Sequence, residues 1–130
     1  MDHPNIDLVR RAYAAFLSGD RSVLEDTFAP DIRWHQSGFD ATSGDYVGFD
    51  AVLGHLWADD HLEDFGMEVI DMLANDDRVV VIARSTGRVG ERWMTNDFVQ
   101  VIRIEGGRVV EAWVYQWDQR ATAEAFPVAA

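Results

Sequence analysis

The sequence predicts an α+β fold, in which helices from the first half of the chain pack on one face of a curved antiparallel sheet. Two observations predict it. Apolar residues recur at helical spacing in the first half, and from Met67 onward β-rich runs alternate with turn signals. With 130 residues, of which 48% are hydrophobic, the chain has the size of one globular domain, so we expect a single domain over residues 1–130.

Two helices are expected at the start of the chain. The first has Asn5 as its N-cap and Gly19 as the left-handed residue that ends it. Its apolar side comprises Ile6, Val9, Tyr13, Phe16 and Leu17. Asp20 caps a second, shorter helix, which ends before Ala29 and Pro30. The apolar side of this second helix comprises Val23, Leu24 and Phe28.

A short strand and a third helix are expected next. The strand covers Ile32 to Ser37, and a loop rich in Gly and Asp follows over Gly38 to Gly48. The third helix is expected to end near His61. Its apolar side comprises Phe49, Val52, Leu53, Leu56 and Trp57.

The rest of the chain is expected to form strands joined by tight turns, before a short C-terminal helix that begins at Gln119 or Arg120. The strands are Met67 to Leu73, Arg78 to Val89, Arg92 to Glu105 and Arg108 to Asp118. Side chains alternate along a strand, so one face of the third strand carries Met94, Asn96, Phe98, Gln100, Ile102 and Ile104. Neither face is plainly suited to solvent, so we expect each face to be covered.

Charge and composition exclude several classes of function. Eleven Lys and Arg against 23 Asp and Glu give a net charge of −12, which repels nucleic acid and anionic membrane surfaces. The chain has no Cys, and its four His, including His61 in an acidic run, form no recognisable ligand set. We therefore expect no metal, no cofactor, no nucleic acid and no membrane partner. Without a long apolar run or a leader pattern, we expect a cytoplasmic protein.

Four segments of the chain, taken in order, resemble one family of known proteins. They are residues 10–20 (RRAYAAFLSGD), 29–35 (APDIRWH), 44–52 (GDYVGFDAV) and 107–113 (GRVVEAW). In these segments the sequence is similar to SnoaL-like, ketosteroid-isomerase-like proteins of the nuclear transport factor 2 fold. The resemblance implies a cone-shaped α+β barrel with an internal apolar pocket and, commonly, a dimer formed through the outer sheet face. It leaves the activity open, because the fold hosts isomerases, polyketide cyclases, dehydratases, epoxide hydrolases and non-catalytic proteins.

The resemblance also argues against one activity. Ketosteroid isomerases use a Tyr, an Asp base and a protonated Asp, and the corresponding positions here are Ala12, Gln36 and Gln100. None of these side chains exchanges a proton near neutral pH, which argues against steroid isomerisation. A SnoaL-like cyclase needs one acid–base residue and no metal, so the resemblance leaves that chemistry open.

Two residues are candidates for the acid–base group. Asp118 ends the last strand on the face that the resemblance places toward the pocket, where burial raises the pKa of a carboxyl. The alternative is that Asp118 caps the C-terminal helix. His35 carries an imidazole, which titrates near neutral pH. If its neighbours Trp34 and Gln36 line the pocket, however, His35 points to the outer face.

The pocket is expected to be lined by aromatic and amide side chains. The predicted lining residues are Tyr13, Phe16, Trp34, Gln36, Trp57, Asn96, Phe98 and Gln100. The aromatic members of this set could equally be ordinary core residues. His55 lies off the apolar side of its helix and is not assigned to the pocket.

A second aromatic set is expected on the outer face of the sheet. Its members are Trp93, Trp113, Tyr115 and Trp117. An aromatic stripe open to water promotes aggregation. We therefore expect a second copy of the chain to cover it in a homodimer.

The sequence favours one function and leaves two alternatives open. The favoured function is a cofactor-independent, isomerase- or cyclase-like enzyme that acts on a small hydrophobic carbonyl compound by general acid–base proton transfer. One alternative is a non-catalytic small-molecule binding protein, since all three ketosteroid-isomerase groups are missing. The other is a protein-interaction module that uses the outer sheet face.

Overall fold

The computed structural model describes residues 2–58 and 63–128. Within them the helices are α1 (Pro4–Ser18), α2 (Arg21–Thr27), α3 (Phe49–Leu56) and α4 (Gln119–Ala125). The strands are β1 (Phe28–Gln36), β2 (Gly44–Val47), β3 (Glu63–Ala74), β4 (Arg78–Val89), β5 (Arg92–Glu105) and β6 (Arg108–Gln116). None of the helices in this part of the chain is long and apolar enough to span a membrane.

One curved, mixed sheet organises the fold. Its strand order is β2-β1-β6-β5-β4-β3. Neighbouring strands are antiparallel except β1 and β6, which run parallel. Because β2 and β3 are edges, the sheet does not close, and α1 and α3 pack against it. This architecture confirms the predicted α+β cone.

The apolar core lies between the helices and the inner face of the sheet. Its most enclosed aliphatic members are Val9, Leu24, Ile32, Val52, Val79, Val81 and Val109. Full burial of a side chain of this size contributes about 1.5–3 kcal/mol relative to exposure. The cluster therefore fixes α1, α2 and α3 on the sheet.

The predicted ends of the first two helices are largely confirmed. Gly19 ends α1 with a φ of 74°, and the side chain of Asp20 caps α2. The prediction of Asn5 as the N-cap of α1 was wrong. The cap is His3, whose Nδ1 accepts from the Asn5 backbone N–H, because Pro4 occupies the first helical position.

The region between α2 and α3 holds more β structure than predicted. β1 begins at Phe28 rather than Ile32, because Pro30 lies where the pairing of β1 with β6 is irregular and needs no backbone donor. β2 lies inside the segment predicted as a loop. Gly44 and Asp45 have weak strand propensity, and the two strand-favouring residues that follow are too few to indicate a strand alone. β2 is held by pairing with β1, an interaction that the local pattern does not reveal.

Two strands of the second half have the predicted limits, and several other boundaries differ. β3 covers Glu63–Ala74 rather than Met67 to Leu73, because its pairing with β4 extends from Glu63 to Ala74. β4 and β5 have the predicted limits. β6 ends at Gln116, and Asp118 becomes the N-cap of α4, which begins at Gln119 as predicted. α3 ends at Leu56, and His61, where we expected its end, lies outside the described residues.

The predicted alternation is confirmed along β5 and along β6 as far as Gln116. Asn96 and Gln100 are buried on the inner face. On the outer face Trp93 and Tyr115 are 60% and 50% exposed, and Trp117, which follows the end of β6, is 85% exposed. The fourth outer aromatic residue, Trp113, is partly covered because the His35 ring stacks on it.

The exposed outer face generates a prediction about assembly. We expect light scattering at micromolar concentration to give about twice the chain mass of 14.7 kDa, because a twofold contact would bury the same aromatic patch on both copies. A Trp93→Ser, Trp117→Ser double variant should shift the mass toward that of a single chain. A wild-type mass of 14.7 kDa would contradict the homodimer.

Candidate functional site

A cavity of about 480 Å³ lies between the helices and the inner face of the sheet. All eight side chains that the sequence assigned to a pocket line it: Tyr13, Phe16, Trp34, Gln36, Trp57, Asn96, Phe98 and Gln100. The volume is suited to a small organic molecule. The positions of these residues agree with the prediction, and their binding of a ligand stays a prediction.

The cavity is uncharged over its described lining. Within residues 2–58 and 63–128, the lining side chains include no Asp, Glu, Lys or Arg. Tyr13 and His55 are the titratable groups among them. Burial raises the pKa of Tyr13, so its hydroxyl remains a neutral donor at physiological pH. Such a wall favours an uncharged ligand, because a buried charge without a partner is costly.

His55 belongs to the cavity wall, and the sequence prediction missed it. The residue is 8% exposed, and its Nε2 lies 3.2 Å from Oε1 of Gln36. Its ring stacks on Tyr46, with the ring centroids 4.0 Å apart. Tyr46 lies in β2 and covers a side of α3 that the hydropathy pattern assigned to solvent. The sequence signal that could have indicated this contact is Tyr46, an aromatic residue inside a Gly- and Asp-rich segment.

Gln36 and Gln100 lie in one row across the sheet. Val114 of β6 pairs with Gln36 on one side and with Gln100 on the other. Two strand spacings, about 9.6 Å, therefore separate the backbones of the two glutamines. Both side chains line the cavity.

Gln100 presents a hydrogen-bond donor to the cavity. The residue is 2% exposed, and its Oε1 accepts from the Tyr13 hydroxyl. Its amide nitrogen has no protein partner within the described part of the chain. An acceptor oxygen on a molecule bound in the cavity would accept a hydrogen bond from this amide.

Two further polar atoms of wall residues lack partners. Both atoms are buried: within the described residues Trp34 Nε1 donates no hydrogen bond, and Gln116 Oε1 accepts none. Both side chains belong to the cavity lining. The cavity wall is therefore mostly apolar, but some of its polar atoms have no hydrogen-bond partner in the described part of the protein.

Asn96 secures α4 rather than offering its amide protons to the cavity. Its Nδ2 donates to the Asp118 carbonyl and to Thr122 Oγ1, each at 3.0 Å. Its Oδ1 accepts from the Asp118 backbone N–H, also at 3.0 Å. Because both amide protons are used inside the protein, Asn96 acts on the cavity by holding α4, whose Thr122 also lines it.

The prediction that Asp118 lies in the pocket was wrong. Asp118 is exposed, and its Oδ1 accepts from the Ala121 backbone N–H at 3.0 Å, which makes it the N-cap of α4. The alternative reading as a helix cap is correct. The strand ends two residues earlier than predicted, at Gln116, so the alternation of the strand does not extend to Asp118.

His35 lies on the outer face, as expected if Trp34 and Gln36 line the cavity. Its Nδ1 is 2.6 Å from Asp45 Oδ1, and its Nε2 is 2.6 Å from Glu111 Oε2. It is not among the lining residues, so its prediction as the catalytic acid–base group was wrong. The physical reason is the two-residue period of β1, which gives adjacent side chains opposite faces.

A second cavity, of about 260 Å³, adjoins the first. Thr42, His55 and Ala58 line both cavities. His55 therefore contributes to the walls of both cavities.

In residues 2–58 and 63–128, no three or more His, Cys, Asp or Glu side chains come together in a way that could hold a metal ion. The acidic run around His61 lies outside these residues.

Comparisons with known proteins agree with this fold. A sequence profile of the SnoaL-like domain matches residues 9–112. An uncharacterized protein of Mycobacterium tuberculosis is 31% identical over 124 residues, which cover 93% of this chain and 95% of the relative. The chain belongs to the SnoaL-like family, and this membership confirms the family that the four sequence segments indicated.

Solved structures place the chain among nuclear transport factor 2-like folds. Bal32a, from a soil-derived mobile gene cassette, has a TM-score of 0.87 and 29% identity, covering 95% of this chain and 96% of its own. An NTF2-like protein from Burkholderia xenovorans LB400 has a TM-score of 0.82 and 26% identity, covering 95% of both chains. A protein from Jannaschia sp. CCS1, provisionally assigned as a SnoaL-like polyketide cyclase, shares the fold at 18% identity and a TM-score of 0.81, covering 100% of this chain and 99% of its own.

The contacts of Asn96 predict a large effect on stability. Asn96→Ala should lower the free energy of unfolding by about 3 kcal/mol, since three buried hydrogen bonds are lost and their partners remain. Asp118→Asn is the matched comparison and should change it by less than about 0.5 kcal/mol, because Asn caps helices as well as Asp does. Urea denaturation measures both. Equal losses in the two variants would show that Asn96 does not hold α4.

Proposed function

We propose that this protein is a cofactor-independent enzyme that moves a proton next to the carbonyl group of a small hydrophobic compound, in an isomerase- or cyclase-like reaction. One observation carries the proposal: the His55 imidazole contacts Gln36 in the wall of a cavity whose described lining has no carboxylate. Histidine is the side chain best suited to give and take a proton near neutral pH. Membership of the SnoaL-like family, in which polyketide cyclases occur, supports the reaction class.

Four residues of the cavity wall have separate roles in the proposed reaction. The imidazole of His55 accepts a proton from the carbon next to the carbonyl group. The amide nitrogen of Gln100 donates a hydrogen bond to the carbonyl oxygen, on which negative charge develops. Tyr13 fixes the orientation of that amide through Gln100 Oε1, and Gln36 orients the imidazole.

The enolate formed in this way has two outcomes. If the substrate has a carbon–carbon double bond next to the deprotonated carbon, the enolate extends over it, and the imidazolium returns the proton to the far carbon of that double bond. The double bond has then moved, and the reaction is an isomerisation. If the enolate carbon instead attacks another carbonyl carbon of the same molecule, a ring forms and the imidazolium protonates the new alkoxide. In both cases His55 ends neutral, so the cycle needs no external acid, oxidant or cofactor.

The wall also limits the substrate. Its aromatic side chains, among them Phe16, Trp34 and Trp57, favour a flat apolar molecule. The absence of charged side chains from the described lining disfavours a carboxylate or an amine. We therefore propose an uncharged carbonyl compound of a few rings as the substrate class.

A proton-exchange experiment tests the proposal without the natural substrate. In D₂O, the protein should speed deuterium incorporation next to the carbonyl of uncharged aryl ketones, with 2-tetralone as the first probe, followed by proton NMR. His55→Gln removes the proton carrier and keeps an amide of similar size. It should slow the exchange by about 10²–10⁴-fold, the usual contribution of general acid–base catalysis.

Two matched variants make the result specific. Asp118→Asn lies outside the cavity and should leave exchange unchanged, whereas Gln100→Leu should slow it with the imidazole still in place. Full exchange activity in His55→Gln would contradict the assignment of His55.

The alternative of a non-catalytic binding protein is favoured by one observation, the lack of a carboxylate in the described lining. The same samples separate the two functions. Quenching of tryptophan fluorescence reports binding, because Trp34 and Trp57 lie in the wall. Tight binding of the aryl ketones with no exchange above buffer would establish the binding protein and overturn the enzyme.

A further inference from the structure

A charged cluster on the outer face of the sheet is centred on His35. Each of its ring nitrogens lies 2.6 Å from a carboxylate oxygen, Nδ1 from that of Asp45 in β2 and Nε2 from that of Glu111 in β6. Since an ionised carboxylate only accepts, both contacts are hydrogen bonds when the imidazole is a cation with a proton on each ring nitrogen. The ring also stacks on Trp113, with centroids 5.4 Å apart. His35 thus links three adjacent strands.

On their opposite faces, β1 carries part of the cavity wall and β2 carries a side chain that packs on a wall residue. In β1, Trp34 and Gln36 flank His35 and line the cavity. In β2, Tyr46 follows Asp45 and stacks on the His55 ring at 4.0 Å. The outer and inner contacts of β2 are therefore one residue apart.

β2 is a short strand at the edge of the sheet. It has four residues, and within the sheet it pairs with β1 alone. Asp45 pairs directly with His35 in the register of the two strands. On the inner side, Tyr46 stacks on His55 of α3, and its hydroxyl donates to the Thr42 carbonyl at 2.9 Å. The contact of Asp45 with His35 adds a side-chain link on the outer face to the backbone pairing and to this inner packing.

We propose that His35 is a positioning residue for the cavity: as a cation between Asp45 and Glu111, it holds β2 on β1 and so keeps Tyr46 stacked on His55. The inference rests on the proposed function only where it gives His55 a catalytic role. Loss of one ring proton leaves one of the two carboxylates without a donor, and the tie to β2 weakens.

The charged groups around His35 determine how the link responds to pH. They are Asp45 from β2, Glu111 from β6, Arg103 from β5, which contacts Glu111 at 3.3 Å, and Arg33 on β1 itself. The hydrogen bond to Asp45, and then that to Glu111, raise the pKa of His35 against the opposing effect of partial burial. The stabilisation is therefore complete below about pH 6.5 and is lost as the pH rises through the raised pKa of His35.

NMR of the free protein tests the link, because the Tyr46 ring shifts the resonances of the stacked His55 ring upfield. At pH 6.5, His35→Gln should move the His55 ring resonances downfield, toward their unstacked values. It should also speed hydrogen exchange of the Tyr46 amide, which faces β1, by about tenfold or more, since local opening of an edge strand becomes easier. If this variant does not fold, a pH titration of the wild type should show the same changes as His35 loses its proton.

Asp97→Asn is the matched control. It breaks the Arg84–Asp97 pair, a 2.7 Å cross-strand contact on the same outer face between β4 and β5, and should leave the His55 resonances unchanged. Unmoved His55 resonances in His35→Gln, or equal shifts in both variants, would overturn the proposal.

A functional readout separates positioning from simple stability. Exchange of 2-tetralone by the wild type should decline above the pKa of His35, and this step should vanish from the pH profile of His35→Gln. The NMR result needs no substrate, so the link can hold while the proposed enzyme activity fails. If deuterium exchange depends on His55 but the His55 resonances do not change in His35→Gln, the positioning role of His35 is wrong and the proposed role of His55 stands.

Discussion

The fold depends on the two-residue alternation of β1. This strand lies between the short edge strand β2 and the parallel strand β6, and its register with both is fixed by direct pairs, such as Trp34 with Tyr46 and with Ala112. A slip of one residue would move the cavity-lining side chains to the outer face and bring the charged imidazole of His35 into the cavity. One backbone register thus separates an uncharged interior from an ionic exterior.

Much of the fold could be predicted because its signals are local. β4 and β5 are long runs of alternating side chains bounded by turns, a polar one before β4 and Gly-containing ones after each strand, so the sequence indicates both their limits and their two faces. The eight lining residues followed from that alternation, from helical spacing and from the family resemblance. Burial was harder to predict for Asn96, because its hydrogen bonds to Asp118 and Thr122 form only after α4 folds back on β5.

The place of His55 in the cavity wall could not be predicted, because its environment is built from distant segments. Helical periodicity put His55 off the apolar side of α3, and only the pairing of β2 with β1 brings Tyr46 over it. The prediction that Asp118 lies in the pocket was wrong for a related reason, since a strand pattern in the sequence does not show where strand pairing stops and a helix cap begins. The outer position of His35 did follow from alternation once Trp34 and Gln36 were assigned to the pocket.

The parallel pairing of β1 with β6 has a consequence for how the cavity comes into being. Phe28 pairs with Val109, so most of the chain lies between two strands that must meet side by side. Contacts of such high sequence separation are entropically costly to close and slow folding. During synthesis the N-terminal helices leave the ribosome long before β6 exists. The cavity is therefore among the last features to form, and a small molecule can bind in it only after the chain has folded completely.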